Sequence, residues 1–351
     1  MTKLRMGIIG CGGMTADAHV NGLLELTEVM EVTAVCDIDI KQANLLQAKL
    51  PKAIAVTDYR DLLDYVDAVL IALPHDLHYE VGIVCLEADK HVLMEKPLAN
   101  TQEECEELIR VSKERNLTLM TAYPVRFWPI VQKMKELIEA KTYGDVFQMS
   151  VWTEQLTHPP EGHWATIAKR LGGGQFFSHG CHYVDLMLWF LGKPIKGTHF
   201  GTNFGTPWME KEGTSNVVIE FENGVLGYHM GTWGARGSRL GYSIHIHCTE
   251  GMLEYNRGEG KLYLHSQMKE ERASTDTTSE VQILMEEKEA GKQTQFEIMH
   301  FLECVRDRKL PLTNGDISLQ GLKVIWKLYD AESVGTIADL RGLGLSEIGI
   351  E

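Results

Sequence analysis

Long hydrophobic runs are missing from this 351-residue chain. No apolar stretch reaches the roughly 18–20 residues that a membrane-spanning helix requires, so we expect no membrane segment. The opening residues, MTKLRMGIIGCGG, lack the hydrophobic core and cleavage site of a signal peptide, because they lead directly into glycines. Internal repeats and low-complexity tracts are absent as well. At about 150 residues per domain, the length indicates two domains.

Cysteine is sparse and positive charge is in deficit. The 7 cysteines are scattered and odd in number, which favours reduced thiols in a cytoplasmic protein over a disulfide framework. The 34 Lys and Arg residues face 49 Asp and Glu residues, which gives a net charge of −15. Such a chain repels polyanions. We therefore expect neither nucleic acid nor an anionic membrane as a partner.

The first third of the chain alternates strand and helix patterns. Continuous apolar strands separated by helices are typical of a parallel sheet that is covered on both faces. We therefore predict a doubly wound α/β domain over residues 1–123, with its ligand at the carboxyl ends of the strands. The predicted strands are MGIIG (6–10), EVTAVCD (31–37), DAVLIALP (67–74), HVLMEKP (91–97) and LTLMTAYP (117–124).

From about residue 124 the strand pattern becomes antiparallel. SNVVIEF and GVLGYHMGTW lie on either side of Asn223-Gly224, which is a strong hairpin signal. YSIHIHC and MLEYN repeat the arrangement around Gly251. These patterns predict an α+β domain over residues 124–351, built on a large, open, mostly antiparallel sheet.

A glycine-rich turn follows the first predicted strand. Gly10 and Gly12 would let the backbone approach a pyrophosphate at a helix N-terminus, although Thr15 takes the place of a third glycine and a plain tight turn remains an alternative. Asp37 ends the second strand about 25 residues further on, where a carboxylate accepts hydrogen bonds from an adenosine ribose. An ordinary polar strand end is the alternative. An acid there repels a 2′-phosphate and Ile38 adds no positive charge, so NAD is favoured over NADP.

The segment SHGCHYVD, residues 178–185, concentrates polar chemistry on one predicted helix. At about 100° per residue, Ser178, His182 and Asp185 fall within about 60° of one another, which predicts an amphipathic helix. His179, Cys181 and His182 offer a metal site as an alternative. However, Cys181 points about 100° away from His182 at this spacing, and no Cys-x-x-Cys pair accompanies it. We expect no metal.

Several motifs in order give a resemblance that covers nearly the whole chain. They are GIIGCGGM, MEKPLANT (94–101), AYPVRF (122–127), GGGQFFSHGCHYVDLMLWFLG (172–192) and HFLECVRDRKLPL (300–312). Together they resemble the Gfo/Idh/MocA oxidoreductase family. The resemblance implies a nicotinamide-dependent enzyme that acts on a sugar, cyclitol or related polyol. It also implies a Rossmann domain followed by a sheet domain that often mediates oligomerisation, so we expect a homodimer or homotetramer.

The resemblance also implies roles for individual residues. Lys96 matches the lysine that contacts substrate hydroxyl and cofactor, and whose peptide bond to proline is often cis. His182 matches the catalytic histidine, which suits a general base near neutral pH. Asp185 matches a substrate-binding carboxylate, and Arg126 an arginine near the substrate. Ordinary surface positions remain the alternatives for Lys96 and Arg126.

The chain departs from the family pattern at Ser178. The family commonly has aspartate there, four residues before the histidine. Serine does not ionise at working pH, so either the proton relay is shorter or His179 substitutes; both stay open.

Elsewhere in the chain, Tyr123 and Trp164 are further candidates for contact with the substrate. Ala165 stands where the family often has a basic residue. The remaining expected cofactor contacts are Gly13, Met14, Pro74, His78 and Glu95. For His78, a surface histidine at the start of a helix is the alternative.

These observations lead to one expected reaction and two alternatives. We expect hydride transfer from a secondary hydroxyl to NAD, with His182 as general base and Lys96 as electrostatic and proton-relay residue. The first alternative is a glycosidase that recycles NAD through transient oxidation and elimination. The second is a regulatory sensor of NAD or sugar. Retention of both Lys96 and His182 argues against a sensor, which needs neither.

Overall fold

The computed structural model describes residues 3–266, 280–287 and 291–345. The chain divides into two compact units. The first comprises the chain up to Pro124 together with Lys169–Gly172 and Gly291–Leu319, and the second comprises the rest. Within the described ranges, no helix is long and apolar enough to cross a membrane.

Helices of varied length connect and flank the strands. In chain order, the α-helices of the described residues are α1 (Val20–Glu25), α2 (Ile40–Gln47), α3 (His78–Glu87), α4 (Gln102–Glu114), α5 (Pro129–Glu139), α6 (Ala168–Leu171), α7 (Cys181–Leu191), α8 (Thr294–Asp307) and α9 (Gly315–Ser333). Local sequence explains their ends. At α4, for example, the Thr101 hydroxyl accepts the Glu104 N–H and the Glu104 carboxylate accepts the Thr101 N–H, which is a complete capping box.

A six-stranded parallel sheet forms the centre of the first unit. Its strands are β1 (Leu4–Ile9), β2 (Met30–Cys36), β3 (Ile54–Val56), β4 (Ala68–Ile71), β5 (His91–Glu95) and β6 (Leu119–Ala122). The order β3-β2-β1-β4-β5-β6 is that of the Rossmann fold, so the predicted doubly wound sheet is confirmed. The short edge strand β3 was missed, because three half-buried residues give too little pattern.

The segment Gly291–Leu319 belongs to the first unit, whereas the sequence pattern assigned it to the domain 124–351. Thr313 explains the difference. Its carbonyl accepts the Thr121 N–H at 2.8 Å and its hydroxyl donates to the Thr121 carbonyl at 2.7 Å, which extends the pairing at β6. Such a contact spans 192 residues, and no local pattern in the sequence announces it.

A nine-stranded mixed sheet forms the second unit. Its strands are β7 (Val146–Glu154), β8 (Pro194–Thr202), β9 (Thr214–Phe221), β10 (Leu226–Thr232), β11 (Tyr242–Cys248), β12 (Gly251–Asn256), β13 (Lys261–Ser266), β14 (Glu280–Glu286) and β15 (Ala338–Asp339). Strands β7 and β10 pair in parallel and the other neighbours are antiparallel. The predicted, mostly antiparallel sheet is therefore confirmed. Positive φ angles at Asn223 and Gly224 form the predicted hairpin turn between β9 and β10.

Candidate active site

The glycine-rich turn follows β1 in the first unit. Gly10 has φ +97°, and a Cβ there would lie 2.2 Å from the Ala72 carbonyl oxygen, so this close approach requires glycine. Thr15 is buried and donates its hydroxyl to the Gly10 carbonyl at 2.6 Å, which explains how the turn closes without a third glycine. Apart from atoms of the adjoining chain, no atom of the described residues would lie within 4 Å of a Cβ on Gly12, and the nearest to one on Gly13 would be an Asp17 carboxylate oxygen at 3.6 Å. This side of the turn has room for a pyrophosphate.

Asp37 lies beside this turn, directly after β2. One carboxylate oxygen accepts the Cys11 N–H and the other accepts the Asp39 N–H, both at 2.9 Å. These two bonds fix the carboxylate where the hydroxyls of an adenosine ribose can donate to it. Ile38 is 94% exposed and supplies no cation for a 2′-phosphate. The glycine turn and Asp37 together fit NAD.

Glu95 ends β5 and forms a buried pair with His19. Its Oε1 lies 2.7 Å from His19 Nε2, and its Oε2 accepts the Lys96 N–H at 3.1 Å. Burial acts to raise the pKa of Glu95, but the hydrogen bond to His19 and the nearby positive charges outweigh it and lower that pKa to about 2. An ionised carboxylate therefore fixes the backbone at Lys96, and the Lys96–Pro97 peptide bond is cis. His19 was not singled out from the sequence, because it lies 76 residues from its partner.

The surroundings of His78 differ from those expected for a residue that contacts the cofactor. The imidazole is fully buried at the start of α3, with Nδ1 2.8 Å from the Pro97 carbonyl oxygen and Nε2 3.0 Å from that of Leu73. Burial lowers the pKa of His78. Since both ring nitrogens already contact backbone oxygens, His78 joins the loop after β4 to the loop after β5 and has no nitrogen directed at a cofactor.

Two other predicted residues of the first unit have clear positions. Met14 lies directly before the π-helical turn Thr15–His19, at the start of the helical segment that continues as α1. Tyr123 directly follows β6 and is buried, with its hydroxyl 3.2 Å from the Ser318 hydroxyl. A substrate contact by Tyr123 stays a prediction.

In the second unit, the SHGCHYVD segment begins with a π-helical turn, Phe176–Gly180, and continues as α7. The predicted amphipathic helix is wrong in one respect: the segment is buried on nearly every side. Ser178, His182 and Asp185 are 4%, 9% and 1% exposed. The wider π turn also breaks the 100° spacing on which the predicted polar face depended.

Asp185 and Arg126, predicted separately as substrate contacts, bind each other. Arg126 donates from Nε to one carboxylate oxygen at 2.5 Å and from Nη2 to the other at 2.8 Å. Both side chains are almost completely buried. Burial raises the pKa of Asp185, and the guanidinium opposes this by favouring the carboxylate. A contact between Asp185 and a substrate hydroxyl would therefore have to compete with the two hydrogen bonds from Arg126.

His179 and His182 lie in a cluster of polar and aromatic side chains. Their ring centroids are 5.8 Å apart. His179 Nδ1 is 3.4 Å from the Gln175 amide nitrogen, and its Nε2 is 3.5 Å from the Tyr242 hydroxyl. Burial raises the pKa of Tyr242 to about 12, so its hydroxyl stays protonated at neutral pH. The cluster therefore combines two imidazoles with a proton-bearing hydroxyl.

Two residues that the sequence did not single out hold the start of this helix. The Tyr329 hydroxyl accepts the N–H groups of Gly174 and Phe177 at 3.3 and 3.1 Å and donates to Glu212 at 2.5 Å. Glu212 also accepts the Phe176 N–H at 3.3 Å. The run of three glycines was the available signal, since a Cβ on Gly174 would lie 2.2 Å from the Glu212 carboxyl group.

Trp164 begins a short 3₁₀ turn in the second unit, next to His163. The two rings lie 5.6 Å apart, and His163 Nδ1 accepts the Ala165 N–H at 3.2 Å. The His163 side chain is exposed and that of Trp164 is partly buried. The Trp164 ring therefore has accessible surface on which the face of a sugar could stack. Stacking of a substrate there stays a prediction.

No group of three or more His, Cys, Asp or Glu side chains in the described part of the chain is arranged to hold a metal ion. Cys181 is buried.

The predicted site residues thus form two groups, one in each unit. The first unit holds Gly10, Gly12, Gly13, Met14, Asp37, Pro74, His78, Glu95, Lys96 and Tyr123. The second unit holds Arg126, Trp164, Ser178, His179, His182 and Asp185.

Both units match known families. Residues 4–123 match the oxidoreductase family with an NAD-binding Rossmann fold, and residues 131–254 match the GFO/IDH/MocA C-terminal domain. The chain belongs to the Gfo/Idh/MocA family. Residues 4–123 of its first unit form the NAD-binding domain of this family, and the cofactor is NAD.

Individual relatives agree with this membership. The chain is 31% identical to inositol 2-dehydrogenase 2 of Saccharopolyspora erythraea, over 64% of this chain and 65% of that protein. It is 27% identical to myo-inositol 2-dehydrogenase of Thermotoga maritima, over 64% and 67% of the two chains. Among solved structures, levoglucosan dehydrogenase in complex with NADH superposes with a TM-score of 0.86 over 97% of this chain and 99% of that chain. At 19% identity, that similarity establishes the fold.

Proposed function

We propose that this protein oxidises a secondary hydroxyl group of a sugar, inositol or related polyol and transfers the hydride to NAD. The observation that carries the proposal lies in the first unit. Lys96 directly follows β5, and its backbone is held by the buried Glu95–His19 pair at the sheet edge that also carries the glycine turn. A cation at the carboxyl ends of these strands is suited to bind the oxygen of an alcohol beside the cofactor. The relatives named as inositol dehydrogenases support the substrate class.

Oxidation of an alcohol requires a proton acceptor and a stabiliser of negative charge on oxygen. When bound, NAD⁺ supplies the hydride acceptor. His182 takes the hydroxyl proton, because imidazole is the side chain whose ordinary pKa lies closest to neutral pH. The Lys96 ammonium stabilises the negative charge that develops on the alcohol oxygen and relays the proton. Asp37 binds the adenosine ribose, and its charge disfavours NADP.

The remaining residues of the second unit shape the substrate site. Ser178 replaces a residue that would carry negative charge, and its hydroxyl binds a substrate hydroxyl without taking a proton. His179, which contacts Gln175 and Tyr242, contributes a second imidazole to the proton path. Arg126 and Asp185 act as a pair, because each satisfies the other when both are buried.

We further propose that the protein is a homodimer or homotetramer, joined through the nine-stranded sheet. One face of this sheet carries Val218, Leu226 and Ile283, and each is more than two-fifths exposed. Phe200 lies on the same face and is 70% exposed. Large exposed apolar side chains on a broad sheet are typical of a subunit interface.

A glycosidase that recycles NAD is the second candidate function. Ser178 favours it, because the loss of the usual carboxylate changes the relay that a net dehydrogenase uses. In this reaction a hydroxyl of the sugar would be oxidised to a ketone with its hydride held on NAD, and the acidified neighbouring C–H proton would be removed as the aglycone leaves. Water would then add to the resulting unsaturated ketone, and return of the hydride would reduce the ketone to the free sugar. Lys96 and His182 would serve both reactions, so only the products distinguish the two.

The test is absorbance of NADH, with purified protein, NAD⁺ and a panel of free sugars, inositols, sugar acids and glycosides. NADP⁺ is run in parallel. Growth of the NADH band with one polyol supports the dehydrogenase and identifies its substrate class. A flat trace with release of aglycone from a glycoside supports the recycling glycosidase. Bound NAD without turnover of any member of the panel contradicts both and favours a sensor.

A further inference from the structure

A lysine from the far end of the sequence reaches the glycine-rich turn. Lys292 Nζ lies 2.9 Å from the sulfur of Met14, which begins the helical segment after Gly12 and Gly13. We propose that Lys292 is a cofactor-binding residue whose ammonium group donates a hydrogen bond to the pyrophosphate of NAD. This inference rests on the proposed function only in that it needs NAD at the glycine turn.

The start of α8 is held tightly against the helix that follows the turn. The Thr294 hydroxyl donates to the Ala18 carbonyl at 3.0 Å. A Cβ on Gly22 would lie 2.6 Å from the Thr294 hydroxyl oxygen, so glycine at position 22 lets the two helices meet. Lys292 is two residues before Thr294. This packing holds the backbone just after Lys292 next to the turn, and the Lys292 side chain reaches the turn from there.

The surroundings of the turn are acidic, which creates the need for a cation. Asp37 lies on one side, and an Asp17 carboxylate oxygen lies 3.6 Å from the position of a Cβ on Gly13. Glu95 is ionised nearby, since its pKa is lowered to about 2. A pyrophosphate with two negative charges would be repelled by these carboxylates. The charge of Lys292 acts on Glu95 and on Glu297, so it lies close enough to offset that repulsion.

The contact between Lys292 and Met14 is a weak one for an ammonium group. A thioether sulfur is a poor acceptor, whereas an ammonium has three donors and binds phosphate oxygens strongly. A pyrophosphate at the open side of the glycine turn offers strong acceptors for one of these three donors. The backbone N–H groups of the turn and the Lys292 ammonium would then bind the same group from two elements of the chain.

The experiment compares Lys292→Met with Lys309→Met. Lys309 is a matched control, because it follows α8 by two residues at the opposite end and its ammonium is exposed. Binding of NAD⁺, ADP-ribose and adenosine to each protein is measured by calorimetry at low and high salt. We expect Lys292→Met to weaken NAD⁺ and ADP-ribose by about tenfold, as for one charge-assisted hydrogen bond. Adenosine, which has no phosphate, should change less than about twofold, and the NAD⁺ affinity of the variant should depend less on salt.

Lys292→Arg is a further variant that keeps the positive charge, and it should restore most of the NAD⁺ affinity. Equal NAD⁺ affinity in Lys292→Met and Lys309→Met overturns the inference, and so does an equal loss for adenosine, which would mean that the lysine only supports the fold. A wild-type protein that binds no NAD⁺ overturns the proposed function as well, and this result is distinct from the other two.

Discussion

Glu297 places a carboxyl group in the interior of the first unit. Neither of its oxygens has a hydrogen-bond partner among the described residues, and the side chain is completely buried. Burial raises the pKa of Glu297 well above its usual value, and the negative charge of Glu95 raises it further. Glu297 therefore carries its proton in the folded protein at a pH where the unfolded chain has lost it.

This difference predicts how stability depends on pH. Below the unfolded pKa, about 4.3, the group is protonated in both states and its contribution to stability is fully present. As the pH rises towards the folded pKa, only the unfolded state releases the proton, so that contribution is lost. Glu297→Gln removes the titration. The melting temperature of the variant minus that of wild type should therefore be more positive at pH 8 than at pH 5, by about 2 °C or more. An identical difference at both pH values contradicts the assignment.

His182 is the residue on which the proposed chemistry depends most. His182→Ala should lower kcat by about 10²–10⁴-fold, the usual contribution of a general base. NAD⁺ affinity should stay within about twofold, since the glycine turn and Asp37 belong to the first unit. The measurements are steady-state NADH formation and calorimetric NAD⁺ binding, with His265→Ala as the control. Activity that survives within a few-fold would remove His182 from the role of base.

At the scale of the element, the Tyr329 hydroxyl group holds the start of the helical segment that carries His182. Tyr329 accepts two backbone N–H groups and donates to Glu212, so Tyr329→Phe leaves all three groups short of a partner. The variant should lose about 1–3 kcal/mol of stability and shift the pH profile of kcat, because Glu212 loses its donor and the His182 helix loses its fixed start. Tyr65→Phe, at a tyrosine that is 50% exposed, is the control. Equal melting temperatures and pH profiles for both variants would reduce Tyr329 to a packing role.

Elements with a strong local pattern could be predicted from the sequence. Buried parallel strands gave continuous apolar runs, and Asn223-Gly224 identified a hairpin, because both signals lie within a few residues. The π-helical turn at Phe176–Gly180 was missed, since it follows no simple periodicity. The parallel pairing of β7 with β10 was also missed, because the long stretch of chain between aligned partners, such as Gln148 and Leu226, carries no register signal.

The same distinction, between local motifs and contacts that are distant in the sequence, applies to the residues of the candidate site. Gly10, Asp37, Lys96 and His182 could be proposed as site residues from the sequence because each belongs to a short motif. His19, Glu212 and Lys292 were not found, since each acts through a partner that is distant in the sequence. The interaction between Arg126 and Asp185 illustrates both cases. Each residue was identified by its motif, but their mutual pairing required the fold.

At the scale of the whole molecule, the proposed subunit interface is open to a direct test. Val218→Asp puts a charge at the centre of the exposed apolar sheet face, where burial against a second copy would be costly. Light scattering after size-exclusion chromatography should give a dimer or tetramer for wild type, and a mass shifted towards 39.5 kDa for the variant.

Val334→Asp is the control for this prediction, because Val334 is 71% exposed after α9 and lies outside the sheet. Its mass should equal that of wild type. A monomeric wild type, or a Val218→Asp variant with unchanged mass and unchanged melting temperature, would place the interface elsewhere.

The discontinuous first unit has a consequence for synthesis of the chain. Gly315 packs against Ile109 and Leu119, where a Cβ would come within 2.6 and 3.1 Å of their side chains. Until the ribosome has released residue 319, the nucleotide-binding unit lacks the helix α8 and the segment that pairs with β6. A nascent chain halted after residue 124 would leave these apolar surfaces open to chaperones. The nucleotide-binding unit is thus completed only after the strands β7 to β14 of the second unit have been translated.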